Sequence, residues 1–150
     1  MSYIENLIEN CNKAKMAKPE KEFVVENISQ LDGIDKAIYI IEEIDGNCES
    51  TFIELSKYKK LKQRACPKLN APSPVLYVGS STTGVRKRIE QHLGEGAKDT
   101  YALHLKYWFR GDYKITIKVF EQPKEVLQII EDALSYELAP AFGKQGGNSK

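Results

Sequence analysis

Apolar residues recur along the chain with two spacings, which predict an alternation of strands and helices. Runs rich in β-branched and aromatic residues predict strands over residues 36–42 and 75–79, and residues 113–120 alternate between apolar and polar as a third strand. Apolar rows at three- and four-residue steps predict helices over residues 50–66, 85–93, 100–109 and 123–139. The predicted order is strand, helix, strand, helix, helix, strand, helix.

The residues ahead of the first strand have a helical pattern of their own. Apolar residues follow Ser2 at helical steps until Pro19 ends the run, and a second short helix is predicted over residues 21–31. We interpret residues 1–35 as an N-terminal helical extension of a single domain, 1–150. Residues 144–150 are interpreted as a polar, mobile tail.

Composition adds few constraints. A chain of 150 residues suits one domain with a real core, and 41% hydrophobic with 29% charged residues is ordinary for a globular protein. No apolar run approaches the roughly 20 residues that span a bilayer, and the N-terminus lacks the features of a signal peptide, so we expect a cytoplasmic protein with no membrane partner. The three cysteines form no CxxC pair and are expected to be reduced.

The tightest local feature is a strand, a small polar turn and a helix over residues 75–93. The turn is built from serine, threonine and glycine, and Arg86, Lys87 and Arg88 follow at the start of the helix. Hydroxyls, free backbone N–H groups and cations at a helix N-terminus suit a phosphate. A solvated loop followed by a basic surface helix is the alternative interpretation.

Two tripeptides in the predicted strands resemble paired motifs of a nuclease family. Ala-Ile-Tyr at 37–39 is similar to the motif Gly-Ile-Tyr, and Tyr-Val-Gly at 77–79 is similar to Tyr-Ile-Gly. The positions that follow the second motif in this family, a Ser/Thr, an aliphatic residue, an arginine and a histidine, correspond here to Ser81, Val85, Arg88 and His92. The arginine falls one residue later than usual, so the turn is one residue longer.

A third element completes the resemblance near the end of the chain. Glu131 precedes Pro140 by nine residues, which is the spacing of the glutamate and proline in the family's last motif. Over about residues 36–143 the chain therefore resembles the GIY-YIG nucleases. The resemblance implies an α+β fold with a three-stranded antiparallel sheet flanked by helices, here with a helical insertion at residues 46–73 between the first two strands.

The resemblance also implies an activity and roles for individual residues. Members hydrolyse phosphodiester bonds with one divalent ion, here expected to be Mg²⁺ or Mn²⁺, and DNA is the expected partner. Tyr39 and Tyr77 would assist the attacking water, Arg88 would stabilise the phosphate, and the family role of Glu131 is metal ligand. For both tyrosines, simple packing in the core is the alternative.

The spacing of Arg88 and His92 places them on one helix face, because they are four residues apart. Arginine is the better phosphate ligand, since its planar guanidinium binds two oxygens and stays charged. His92 is expected to be a proton shuttle, a second phosphate contact or a plain surface residue. Arg86 is a rival for Arg88, but it lies two residues earlier and points elsewhere.

Glu131 falls in an otherwise apolar row of the last predicted helix, where a carboxylate is costly without a partner. Glu137 also shares a row with apolar residues, and the family spacing to Pro140 favours Glu131. One carboxylate suits one hard, oxygen-bound ion that keeps several waters.

The predicted insertion helix carries a basic patch, which consists of Lys59, Lys60, Lys62 and Arg64. This patch either grips nucleic acid, together with Ser81, Arg86 and Lys87 of the phosphate turn, or is a solvated charged face. The overall net charge of +1 favours neither interpretation.

Two departures from the family pattern keep other functions open. Ala37 replaces the first glycine, and Gly143 stands where asparagine is frequent. If that asparagine supports the site, this chain must use another residue or be less active. A nucleic-acid-binding module without the chemistry is therefore a second hypothesis, and a chain that depends on a partner protein for sequence recognition is a third.

Overall fold

The computed structural model describes residues 2–144 and confirms an α+β architecture. Residues 145–150 of the predicted tail lie outside the described residues. The main elements, in chain order, are α1 (Tyr3–Met16), β1 (Lys21–Val24), β2 (Ala37–Ile44), α2 (Cys48–Lys60), β3 (Val75–Ser81), α3 (Val85–Glu90), β4 (Asp112–Val119) and α4 (Lys124–Leu138). None of the described helices is long and apolar enough to cross a membrane.

The sheet has four antiparallel strands in the order β1-β4-β2-β3, so the expectation of three strands is wrong. The extra strand is β1, which lies within the range predicted as a second N-terminal helix. Phe23 pairs with Ile117 in the ladder to β4. Four residues of weak helical pattern gain a row of backbone hydrogen bonds at the edge of β4, and this pairing outweighs their local preference.

Three predicted helices are shorter than expected. The helix predicted over residues 50–66 is Cys48–Lys60, because Lys62 just beyond it has a left-handed backbone with φ of 56°. The helix predicted over 100–109 is a single 3₁₀ turn, Leu105–Tyr107, because His104 just before it has a left-handed backbone with φ of 51°. The helix that begins at Val85 is regular to Glu90, and the segment that follows it, Gln91–Glu95, is kinked at Gly94, whose φ is 127°.

The two faces of the sheet are covered by different helices. Tyr39, Ile41 and Ile117 face a core completed by α2 and α3, whereas Ile38 and Ile40 face Leu127 of α4. Successive residues of a strand point to opposite faces, so this division follows the sequence alternation of β2. Because β3 is an edge strand, groups from both faces can meet along it.

Candidate active site

The two tyrosines of the paired motifs lie side by side on one face of the sheet. Tyr39 is opposite Gly79 in the β2–β3 ladder, and Tyr77 is two residues before that glycine. The rings are stacked, with centroids 6.2 Å apart and an interplanar angle of 12°. The structure thus brings together the two phenols that the sequence placed in separate strands.

Gly79 provides the space that the Tyr39 side chain occupies. A Cβ atom at this position would be 2.4 Å from Tyr39 Oη and 2.6 Å from its Cζ. No side chain fits there without moving the phenol. The glycine of the second motif is therefore needed for the position of the tyrosine of the first.

His92 connects the tyrosines to the loop on the far side of the site. It is fully buried, and its Nδ1 accepts a hydrogen bond of 3.1 Å from the Leu103 backbone N–H. A neutral imidazole then carries its proton on Nε2, which lies 3.0 Å from Tyr39 Oη and donates to it. The His92 ring also packs against Tyr77, with centroids 4.4 Å apart.

Trp108 supports this network through a hydrogen bond to the backbone of Leu103. Its indole Nε1 donates to the Leu103 carbonyl at 2.6 Å, and the backbone N–H of the same residue donates to His92 Nδ1. A buried chain of polar groups of this kind fixes side-chain orientation when all members are satisfied. His92 is consequently a buried positioning residue, and the surface location considered for it is wrong.

The surroundings of His92 and Tyr39 keep both side chains neutral. Burial, with the Arg88 and His104 charges, holds the pKa of His92 well below its usual value. Burial is also the main cause that raises the pKa of Tyr39, followed by Tyr77, and the Glu131 charge adds to the increase while Arg88 opposes it. Tyr39 therefore keeps its proton in spite of the neighbouring Arg88 charge.

Arg88 lies beside the phenols, as its sequence position predicts. Its guanidinium donates to Gln91 Oε1 and to the Tyr101 carbonyl, both at 2.9 Å. Burial tends to lower the pKa of Arg88, but the Tyr39 and Tyr77 phenols outweigh burial and raise it. Arg88 is thus a fixed cation next to both hydroxyls.

A cleft of about 640 Å³ opens beside this cluster, and the two tyrosines differ in their relation to it. Tyr77 lines the cleft, whereas Tyr39 is 1% exposed and does not line it. Lys59, Lys68 and Lys144 supply its charged lining. A bound substrate could therefore touch Tyr77, with Tyr39 and His92 behind it.

Glu131 approaches from the opposite face of the sheet, on α4. It is 4% exposed, and its Oε1 accepts a hydrogen bond of 2.5 Å from Ser80 Oγ on the edge strand. Its Oε2 lies 3.1 Å from Lys144 Nζ, and the same ammonium lies 3.2 Å from Asp132 Oδ1. Lys144 therefore links the carboxylate to the tyrosine cleft across the sheet edge.

The donor chemistry of Glu131 suits a Mg²⁺-type ion, with one condition. Among residues 2–144, no group of three or more acidic, histidine or cysteine side chains converges as a metal site, so an ion would rely on Glu131, water and substrate oxygens. The Lys144 ammonium, which lines the cleft, is paired with Oε2 of Glu131. A divalent ion on that oxygen requires Lys144 to move.

The remaining residues of the predicted phosphate turn lie outside this cluster. Ser81 Oγ accepts a hydrogen bond of 3.1 Å from the Gly84 N–H, so it closes the turn. Arg86 pairs with Asp32 at 2.7 Å and with Glu90 at 3.3 Å. Lys87 is exposed. The structure separates Arg86 from Arg88, as their two-residue spacing predicts.

The basic residues of the insertion also differ in whether they lie next to the site. Lys59 donates to the Pro67 carbonyl at 2.9 Å and lines the cleft. Arg64 lies over the Tyr107 ring at 3.9 Å, and Lys62 is exposed on a left-handed backbone with φ of 56°. Lys60 is exposed and lines none of the described clefts next to the site.

The presence of glycine at position 143 is explained by its backbone conformation and by the neighbouring Tyr77 ring. Its φ is +91°, and a Cβ atom would be 2.7 Å from Tyr77 Cε1. Asn70, from the insertion, instead holds this segment, because its side-chain amide donates to the Pro140 carbonyl at 3.1 Å and to the Gly143 carbonyl at 2.7 Å. An asparagine side chain thus supports the segment after α4 from a different position in the chain.

Sequence reasoning missed Ser80, Lys144 and the Leu103 peptide as members of the site. A signal for Lys144 was present, because a carboxylate in an apolar row needs a partner and Lys144 is the first cation after Pro140. No signal identified Leu103, since it acts through its backbone.

Comparison with known protein families, with curated proteins and with solved structures gave no match to this chain.

Proposed function

We propose that this protein is a GIY-YIG-type endonuclease that hydrolyses phosphodiester bonds, with DNA as the expected substrate. The observation that carries the proposal is the convergence of Tyr39, Tyr77, His92 and Arg88 beside one basic cleft, with Glu131 linked to it through Lys144. These residues come from three separate segments of the chain, at residue 39, residues 77–92 and residue 131.

The geometry supports distinct roles for the two phenols. Tyr77 lines the cleft and would contact and orient the attacking water. Tyr39 would position Tyr77 and His92 from behind, since its hydroxyl is buried and bonded to His92. His92 would keep Tyr39 Oη in place as a neutral donor.

Arg88 and Glu131 would supply the charges that this chemistry needs. Arg88 does not line the cleft, but its guanidinium is bonded to the backbone of Tyr101 in the cleft wall and would stabilise negative charge that builds up on the phosphoryl oxygens. Glu131 would hold a Mg²⁺ or Mn²⁺ ion, which when bound acts as a Lewis acid on the phosphate. The lysines of the cleft would attract the substrate backbone.

One observation favours a second function, a nucleic-acid-binding module without cleavage. The Lys144 ammonium already neutralises Glu131, so a divalent ion is not required to balance this buried carboxylate. In that case the cleft would bind a phosphate backbone through its lysines, and binding would be independent of divalent ions.

The test compares cleavage of supercoiled plasmid by two isosteric variants, Glu131→Gln and Asp132→Asn, in Mg²⁺, Mn²⁺ or EDTA. Both carboxylates contact Lys144, but only Glu131 is bonded to Ser80. The proposal expects ion-dependent nicking that is lost in Glu131→Gln and kept in Asp132→Asn. Salt-sensitive binding without cutting would favour the binding module instead.

A further inference from the structure

The tyrosine cleft continues into a second cleft that leads away from the site. The first has a volume of about 640 Å³ and the second about 420 Å³, and they share Lys59, Cys66 and Tyr101 in their walls. Tyr77 lies in the first cleft, whereas Lys62 and Lys98 lie in the second. Together they form one groove, which we call the lysine groove, that starts at Tyr77.

The lysine groove is locally rich in cations, although the net charge of the whole chain is only +1. Its walls carry six cationic side chains and one carboxylate, Asp99. The cations are Lys59, Lys62, Arg64, Lys68, Lys98 and Lys144. Within residues 2–144, Lys144 alone of these six has a carboxylate within ion-pair distance.

This pattern fits a polyanion better than a single phosphate. The unpaired groove cations are spread along two joined clefts, so they match charges repeated along a chain. They come from the insertion and from the loop after α3, two segments that are distant in sequence.

An exposed aromatic ring stands where the two clefts join. Tyr101 lines both clefts and is 69% exposed. Its backbone carbonyl accepts a hydrogen bond of 2.9 Å from Arg88, so the backbone that carries this ring is held next to Arg88. An exposed ring between cations is a platform for stacking, and only an unpaired base offers its face to such a ring.

We infer that the lysine groove holds a single-stranded segment of nucleic acid, which runs from Tyr77 past Tyr101 towards Lys62 and Lys98. This inference rests on the proposed function, because it names the form of substrate that enters the same site. It assigns Tyr101 to base stacking, and Lys62 and Lys98 to the phosphate backbone. A duplex would present backbone charges but no free base face to Tyr101.

The test is a binding measurement that does not require cleavage. Fluorescence anisotropy in EDTA compares a labelled single-stranded oligonucleotide with a duplex of the same sequence. The single strand is expected to bind more tightly, and Tyr101→Ala is expected to weaken its binding by about 5- to 150-fold while leaving duplex binding unchanged. Equal affinity for both forms, or no effect of Tyr101→Ala, would overturn the inference.

Charge reversal tests the path of the strand. The double variant Lys62→Glu/Lys98→Glu is expected to weaken binding and to reduce the dependence of affinity on salt, by about 0.7 in slope for each lost phosphate contact. The matched control is Lys15→Glu/Lys18→Glu, since both of these lysines are exposed and lie outside the groove. Equal losses in the two double variants would show only a general charge effect and would refute the path.

Lys62→Gly separates lost binding from misfolding, because this variant is expected to be more stable than the parent and yet to bind more weakly. Its backbone φ of 56° is costly for lysine and comfortable for glycine. Lys62→Gly is therefore expected to raise Tm while it weakens single-strand binding. If Lys62→Gly binds as the parent does, Lys62 is not part of the path.

The outcomes separate this inference from the proposed nuclease activity. Tight, Tyr101-dependent binding of single strands without any cleavage would leave the groove assignment standing and refute the nuclease. Cleavage that depends on Glu131, with no preference for single strands, would do the reverse.

Discussion

Tyr39 Oη and His92 Nε2 lie 3.0 Å apart in the interior, and this hydrogen bond separates the roles of the two tyrosines. Because the Leu103 N–H occupies His92 Nδ1, the imidazole donates to Tyr39. Tyr39 is thereby held behind Tyr77, which alone of the pair lines the cleft. Different consequences follow for the loss of each hydroxyl.

We predict that Tyr77→Phe mainly lowers the cleavage rate, whereas Tyr39→Phe mainly lowers the stability. Tyr77→Phe should lower the cleavage rate by about 10²- to 10⁴-fold with little change in stability, because it removes the phenol next to the substrate. Tyr39→Phe should lower the free energy of unfolding by about 1–3 kcal/mol, because it leaves the buried His92 N–H without a partner. Urea unfolding and initial rates measure both. A Tyr77→Phe variant with parental activity would contradict the assignment.

Stability should depend on pH through the buried histidines. The pKa of His92 is lowered mainly by burial, and that of His104 is lowered mainly by burial too, so the unfolded chain binds more protons than the folded protein. Stability should therefore be full above pH ~6.5 and should fall as the pH decreases below it, by up to about 1.4 kcal/mol per pH unit for each histidine. Urea unfolding between pH ~7.5 and ~5 measures the slope.

The control for this dependence is His92→Gln, which is neutral at every pH. Its stability should be lower overall, because the Tyr39 hydrogen bond changes, but its slope below pH ~6.5 should be smaller. The slope that remains belongs to His104. An unchanged slope would mean that His92 accepts a proton in the folded protein as readily as in the unfolded chain.

Replacing Gly143 with asparagine, the residue frequent at this position in the GIY-YIG pattern, should destabilise this chain. Gly143 and Gly33 both have positive φ, +91° and +80°, but only at 143 would a Cβ atom meet a neighbour within 3 Å, the Tyr77 ring. Gly143→Asn should therefore cost about 1–3 kcal/mol more than the matched control Gly33→Asn. Chemical unfolding of both variants tests this. Equal costs would show that Tyr77 leaves room for a side chain.

Lys144 should compete with a divalent ion for Glu131. Its ammonium lies 3.1 Å from Glu131 Oε2, so Lys144→Met should tighten Mn²⁺ binding by about tenfold or more, as measured by calorimetry. Lys68→Met is the control, since Lys68 lines the same cleft without contacting Glu131. If both variants bind Mn²⁺ equally, Lys144 does not guard the carboxylate.

Local patterns along the chain were sufficient for much of the fold and for half of the site. The alternation of β2 and the spacing of Arg88 and His92 correctly placed the tyrosines and the arginine together. The strand at Lys21–Val24 was missed, because its structure depends on pairing with β4 rather than on its own residues.

The rest of the site depends on contacts that no local pattern contains. Leu103 contributes its backbone N–H to His92 and its carbonyl to Trp108, and neither contact leaves a mark in the local sequence pattern. Lys144 reaches Glu131 only because the chain turns back after Pro140, where Asn70 holds it. These links join distant segments, so they are visible only in the folded structure.

The decisive measurement for the proposed nuclease site compares the cleavage rates of Arg88→Ala and Arg86→Ala on the same DNA in Mg²⁺. The two arginines are two residues apart, but Arg88 lies beside the phenols and Arg86 is paired with Asp32 and Glu90 at the surface. If Arg88 stabilises the phosphate, Arg88→Ala should cleave about 10²- to 10³-fold more slowly than the parent. Arg86→Ala should cleave at nearly the parental rate. Equal rates for the two variants, or a greater loss in Arg86→Ala, would contradict this role of Arg88.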